Sequence, residues 1–223
     1  MQTFATATPV TAVVDIPAGH LRFIAADRTD TTVDIRPATP GKNRDTKAAE
    51  NTTVTYTDGI LTITAPQPGN QLFGPSGAVE ITVQLPAGSH VRAKTAAAEL
   101  RGVGRLGDVT YESAQGPAKL DEAATAHLTL QDGDITIGRL NGPADLTTAR
   151  GDLRVTEATT GTLTLTTHSG SITVGAARGT AATLDAGTTY GRVHNTLQNA
   201  KGTTADLTIH ATTSHGDITA HAN

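Results

Sequence analysis

The chain contains no cysteine and no tryptophan, and its aromatic residues make up only 3% of the sequence. Without thiols there are neither disulfides nor thiolate metal sites, and the redox compartment is left open. The scarcity of aromatics means that a core must be assembled mainly from Val, Ile, Leu and Ala. Long apolar runs are missing too, since none approaches the roughly 20 residues that a membrane span needs. Charge of one sign is not concentrated: the net charge is −4, and no Lys/Arg run makes a footprint for nucleic acid or anionic lipid. The basic trio Lys42, Arg44 and Lys47 stands beside Asp45 and Glu50 and reads as a solvated loop. Residues 1–11 carry no basic stretch followed by an apolar core, so no signal peptide is expected. As given, the chain reads as soluble and cytoplasmic, with surface display open to a trimmed sequence.

What is abundant is threonine, with 42 residues. A β-branched side chain suits a pleated, half-exposed surface and disfavours helix, so composition already points to strands. Residues 10–94 alternate as strands in hairpins do. Val13 to Ile16 lead to a turn at Pro17, Ala18 and Gly19, followed by Leu21 to Ile24. The clearest hairpin has Val54 and Tyr56 before Asp58-Gly59, and Leu61 and Ile63 after it. An Asp-Gly pair in that position predicts a type I′ turn with positive φ at both residues. Residues 66–77 are rich in Pro and Gly and read as a connection. The phrase Leu85-Pro86-Ala87-Gly88 then echoes Ile16-Pro17-Ala18-Gly19, as a duplicated entry would.

Beyond about residue 100 a shorter rhythm takes over. Gly133-Asp134-Ile135-Thr136-Ile137, Gly151-Asp152-Leu153-Arg154-Val155 and Gly170-Ser171-Ile172-Thr173-Val174 share one form, and Gly107-Asp108-Val109, Gly191-Arg192-Val193 and Gly216-Asp217-Ile218 are further copies. Between them lie Leu128-Thr129-Leu130, Leu163-Thr164-Leu165, Ala182-Thr183-Leu184 and Leu207-Thr208-Ile209. The glycines 133, 151 and 170 are 18 and 19 residues apart, and the next intervals stretch to 21 and 25. Those longer intervals place insertions in loops near Gly187 and Ala200. Two strands per period of about 20 residues are the mark of a solenoid. The predicted fold is therefore all-β: an N-terminal β-hairpin-rich region over residues 1–94, packing on or capping a solenoid-like repeat region over residues 95–223. A β-sandwich of the same strands is the rival arrangement. In the solenoid, Ile135, Leu153 and Ile172 form an inward column, and Thr136, Arg154 and Thr173 an outward one.

On these residues the chain resembles a bacterial family of β-strand-repeat proteins, of the kind found in actinobacteria, labelled "putative adhesin", a domain of unknown function. The serial Gly-Asp-Ile-Thr-Ile phrases carry the resemblance, with Thr189-Tyr190-Gly191-Arg192-Val193-His194-Asn195 and the ending His215-Gly216-Asp217-Ile218-Thr219. The opening Asp27-Arg28-Thr29-Asp30 and the following Val33-Asp34-Ile35-Arg36 look like that family as well. The label implies surface display, and the resemblance brings no active-site residues with it.

The polar residues of the repeats carry the candidate chemistry. Asp108, Asp134, Asp152 and Asp217 would make an acidic column for Ca²⁺ if the repeats stack, but Ser171 and Arg192 interrupt it. The pattern points to a structural use, in which Gly supplies positive φ and each Asp closes a turn on its own backbone. Among the histidines, His168 and His215 precede repeat glycines and His194 and His210 lie on neighbouring units, without the convergence that a metal site needs. A polysaccharide-active β-helix enzyme would draw on Asp121, Glu122, Asp145, Glu157, Arg150 and Arg154, whose spacing is unspecific. Thr162, Thr164 and Thr166 form an outward triplet, whose equivalents His127, Asp145, Asp185 and Asp206 break any lattice of threonines. No catalytic, cofactor-binding or metal-ligating residue is assigned, and no cofactor is expected. The expected function is a non-enzymatic scaffold for an unknown protein or glycan partner. Self-association through a terminal strand edge, specifically the last strand at residues 216–220, is a further possibility.

Overall fold

The structure is a computed structural model that describes residues 1–65, 77–197 and 205–223. The chain divides into two compact units, Met1–Gly116 and Pro117–Asn223. The segment 66–76, read from the sequence as a connection, lies outside the described residues, as does Ala200.

The first unit contains β1 (Gln2–Ala5), β2 (Thr11–Ala26), β3 (Asp30–Pro37), α1 (Asn43–Asn51), β4 (Thr53–Thr57), β5 (Ile60–Thr64), β6 (Val79–Pro86) and β7 (His90–Gln115). The Asp58-Gly59 hairpin joins β4 to β5 in antiparallel register. Its two turn residues have φ values of 51° and 78°, as a type I′ turn requires. Pro17, Ala18 and Gly19 do not separate two strands. They bend the continuous β2, whose first half runs parallel to β5 and whose second half runs parallel to β6, with β7 alongside both halves. Only glycine fits this bend, because a Cβ at Gly19 would lie 1.8 Å from the Val79 carbonyl oxygen.

Arg44 and Lys47 lie in α1 rather than in a loop, with Lys42 at its N-cap. Its Lys-Ala-Ala-Glu sequence favours helix, and its one buried residue, Asp45, ties it down. Asp45 accepts the Ala78 N–H at 3.0 Å and the Thr39 N–H at 3.2 Å, bonds that the sequence neighbourhood alone does not reveal. The Ala78 N–H above all, helped by the Lys42 charge, holds the Asp45 carboxyl below its ordinary pKa against the opposing effect of burial. Tyr111 is fully buried; its hydroxyl donates to the Ala98 carbonyl at 2.6 Å, and burial pushes its pKa up.

The second unit contains β8 (Ala118–Asp132), β9 (Ile135–Leu140), β10 (Ala144–Arg150), β11 (Leu153–Ala158), β12 (Gly161–Ser169), β13 (Ile172–Ala176), β14 (Ala182–Tyr190), β15 (Val193–Thr196), β16 (Leu207–His215) and β17 (Ile218–Ala222). Each strand pairs in parallel with its equivalent in another coil. Parallel stacking of this kind is a solenoid and excludes the sandwich, whose neighbours would run antiparallel. The column Ile135, Leu153, Ile172 is in direct register, with each side chain no more than 1% exposed. Thr136, Arg154 and Thr173 line up on the other face.

The order of the coils departs from their order in sequence. β16 lies between β12 and β14, and β17 between β13 and β15. The final coil is thus intercalated, and among the described residues the coil that precedes it in sequence, β14–β15, is the last of the stack. The last strand is therefore covered on both sides, which corrects the expectation that residues 216–220 present an open edge. The extra residues of the 21-residue interval lie at 177–181, because Gly187 sits inside β14.

Candidate interaction surface

The Gly-Asp phrases build the corners between the two sheets of the second unit, and the polar groups there act between coils. Asp134 Oδ1 accepts the Asp152 N–H at 2.8 Å, Asp152 Oδ1 accepts the Ser171 N–H at 2.7 Å, and Asp217 Oδ1 accepts the Arg192 N–H at 2.8 Å. The expectation that each Asp closes a turn on itself is corrected: in a parallel stack the nearest free donor is the N–H of the equivalent residue one coil away. In the first unit His90 Nδ1 fills the same role for the Asp108 N–H at 3.0 Å.

A second ladder, not seen in the sequence, runs inside these corners. Thr148, Thr167 and Thr213 are each 2% exposed. Their hydroxyls donate to the carbonyls of Gly133, Gly151 and Gly170 at 3.1, 3.1 and 3.0 Å, and the Thr188 hydroxyl to Gly216 at 3.0 Å. The signal was available as a Thr three residues before each of Gly151, Gly170, Gly191 and Gly216, but the abundance of threonine hid it. At Gly170, φ is +156° and a Cβ would meet the Gly151 carbonyl oxygen at 1.9 Å, so the coil spacing itself requires glycine.

With the corners fixed, the outward side chains of β8, β10, β12, β16 and β14 fall into rows. His127, Asp145, Thr164, His210 and Asp185 form one. Beside it run Thr129, Thr147, Thr166 and Thr212, and on its other side Thr162, Thr208 and Thr183. Neighbouring rungs in such a sheet are about 4.8 Å apart. His127 Nδ1 lies 3.7 Å from Asp145 Oδ2, and His210 Nδ1 3.5 Å from Asp185 Oδ2. The register of β16 makes Thr208, rather than Asp206, the equivalent of Thr162. The face therefore carries more threonine than the sequence order suggests, although the His/Asp row still interrupts it.

The other sequence candidates are dispersed. His168 and His215 meet edge to face at 5.6 Å, and Tyr190 stacks on His215 at 5.0 Å; His194 belongs to the opposite sheet, beside Thr219. Among the described residues no group of three or more His, Asp or Glu side chains is arranged to hold a metal ion. Glu122 and Glu157 flank Arg139 on β8, β11 and β9, while Asp145 faces out from the other sheet and Arg150 bonds Asp132 at 2.9 Å. In the first unit two shallow grooves of about 300 Å³ share Arg22 and Glu80, with acids and bases mixed in both.

No curated protein matches the sequence. Among solved structures, the chain is similar to a "putative adhesin" from Bacteroides fragilis, with 14% identity, 98% of this chain and 95% of that chain covered, and a TM-score of 0.48. A "putative adhesin" from Parabacteroides distasonis has 12% identity, the same coverages and a TM-score of 0.47. A "putative lipid binding protein" from the same species has 11% identity, the same coverages and a TM-score of 0.46. The family model described as Toastrack DUF4097 matches residues 105–221, more than half of the chain and the whole run of Gly-punctuated coils beyond Gly107, and the protein belongs to that family.

Proposed function

We propose that the protein is a non-enzymatic repeat scaffold that binds a protein or glycan partner through the outward face of β8, β10, β12, β16 and β14. One observation supports this reading above the others: the row His127, Asp145, Thr164, His210 and Asp185, with threonine rows on both sides. Hydroxyl, imidazole and carboxylate groups stand there at regular spacing on a backbone locked by the buried corner ladders. A face already rigid loses little conformational entropy when it is covered.

The test is capture of partners from the native organism on immobilised wild-type chain, beside Thr166→Arg/Thr212→Arg on this face and Thr173→Arg on the opposite sheet. Loss of a partner with the first variant and retention with the second is the expected result. Equal capture by all three would remove the face from consideration, and turnover of a polysaccharide by the purified chain would remove the non-enzymatic reading.

A further inference from the structure

We propose that Gly187 and the ring stack of Tyr190 on His215 form a binding site for a neutral glycan. The site lies within the outward face assigned to partner binding and rests on that assignment.

The threonine row Thr129, Thr147, Thr166 and Thr212 continues onto β14, where Gly187 stands in register with Thr212. Nothing among the described residues requires glycine at this position. Its φ lies outside the positive region, and a Cβ built on it would meet no atom within 4 Å. Gly191 is the contrast, since a Cβ there would lie 1.9 Å from the Gly216 carbonyl oxygen. A glycine inside a strand costs conformational entropy and gives up a side chain that could pack. Where the fold does not need it, its remaining use is to let a ligand approach the backbone closely.

The missing side chain leaves a gap in the outer face. Asp185 and Thr189, both exposed, flank it along β14, and Thr212 stands beside it on β16. His210, 3.5 Å from Asp185, is the preceding outward residue of β16. These hydroxyl, carboxylate and imidazole groups match the donors and acceptors of sugar hydroxyls. They form no apolar pocket for the aromatic anchors that dominate protein–protein interfaces, which favours a glycan over a protein. The Asp185 carboxylate favours a neutral sugar over an anionic one, because like charges brought together are repelled.

A ring platform stands at the neighbouring corner. Of the three tyrosines, Tyr111 is fully buried and Tyr56 is half-buried against Phe4, whereas Tyr190 is 68% exposed. The Tyr190 ring lies on His215 at 5.0 Å with an interplanar angle of 17°, and His168 meets His215 edge-on. One face of Tyr190 is thus held flat, and the other is left to solvent. A tyrosine face is negatively polarised, which suits the C–H groups on the less polar side of a pyranose. Gly187 and Tyr190 are three residues apart, about 10 Å along the strand, a span that a disaccharide covers.

The experiment is calorimetric titration of the full chain with neutral tetrasaccharides (gluco-, galacto-, manno- and chito-oligomers) and with tetragalacturonate as the anionic control. The variants are Gly187→Thr, which completes the threonine row, Tyr190→Ala, and Thr129→Arg on the same face four strands away. Gly187→Thr fills open space with a β-branched residue, so its melting temperature should equal or exceed that of wild type. The expected result is binding of a neutral sugar, unchanged in Thr129→Arg and abolished by Gly187→Thr. Tyr190→Ala should weaken it about tenfold or more. Absence of binding to every neutral sugar, preference for tetragalacturonate, affinity that survives Gly187→Thr, or a lowered melting temperature in that variant would each overturn the proposal. A protein partner lost with Thr166→Arg/Thr212→Arg, without binding of any neutral sugar, would overturn this site and leave the wider face in place.

Discussion

Thr167 and Gly151 stand on neighbouring coils, with the Thr167 hydroxyl donating to the Gly151 carbonyl at 3.1 Å while a Cβ at Gly170 would strike that carbonyl at 1.9 Å. One oxygen therefore accounts for both a glycine and a buried threonine, as it does for Thr148 with Gly151 and for Thr213 with Gly216. Thr167→Val keeps the shape but removes the donor, and should cost about 1–2 kcal/mol. Thr166→Val, on the exposed side of the same strand, should change stability by about 0.5 kcal/mol or less. Equal losses in denaturant melts would remove the threonine ladder from the account of stability.

Asp152 Oδ1 accepts the Ser171 N–H, a structural use. Asp152→Ala should lower stability by about 1 kcal/mol, and excess chelator should leave the wild-type melting temperature where it is. A fall on chelation, reversed by added Ca²⁺, would show that the corner acids hold a cation.

Ile135 is fully buried in register with Leu153, and Thr136 lies between Lys119 and Arg154 on the outer face. Ile135→Asp buries an unpaired charge and forfeits apolar contact, and should cost several kcal/mol, about 3 or more. Thr136→Asp places a carboxylate between two cations and should be neutral to slightly stabilising, by about 0.5 kcal/mol at most. Paired urea melts decide it; greater damage from the Thr136 change would mean that the faces are inverted.

Asp45 holds α1 through the N–H groups of Ala78 and Thr39, and its folded pKa is depressed. A depressed carboxyl contributes stability that is present above the unfolded pKa of about 3.9 and is lost as pH falls through the folded value. Asp45→Asn should therefore be clearly less stable than wild type at about pH 6, with the gap narrowing towards about pH 2.5. A gap that does not change with pH would detach the carboxylate's charge from the docking of α1.

Much of this architecture was legible in the chain itself. Alternation fixed which residues of the Ile135 and Leu153 strands face inwards, since a period of two leaves a half-buried strand no choice. The pair Asp58-Gly59 determined its turn, because positive φ at both positions suits few other residues. The glycine rhythm determined that coils stack. What the sequence did not determine was their order. Ile218 fits beside Ile172 as well as Val193 would, so local pattern cannot tell an inserted coil from an appended one. Tertiary packing decides it: the last coil brings Leu207, Ile209 and Ile218 to be buried on both sides, whereas β14–β15 brings Ala186, Gly187, Val193 and Asn195 and loses less at the exposed end. The outer rows depend on that same order. The helix α1 was hidden for a related reason, because its anchoring bond comes from Ala78, 33 residues beyond Asp45.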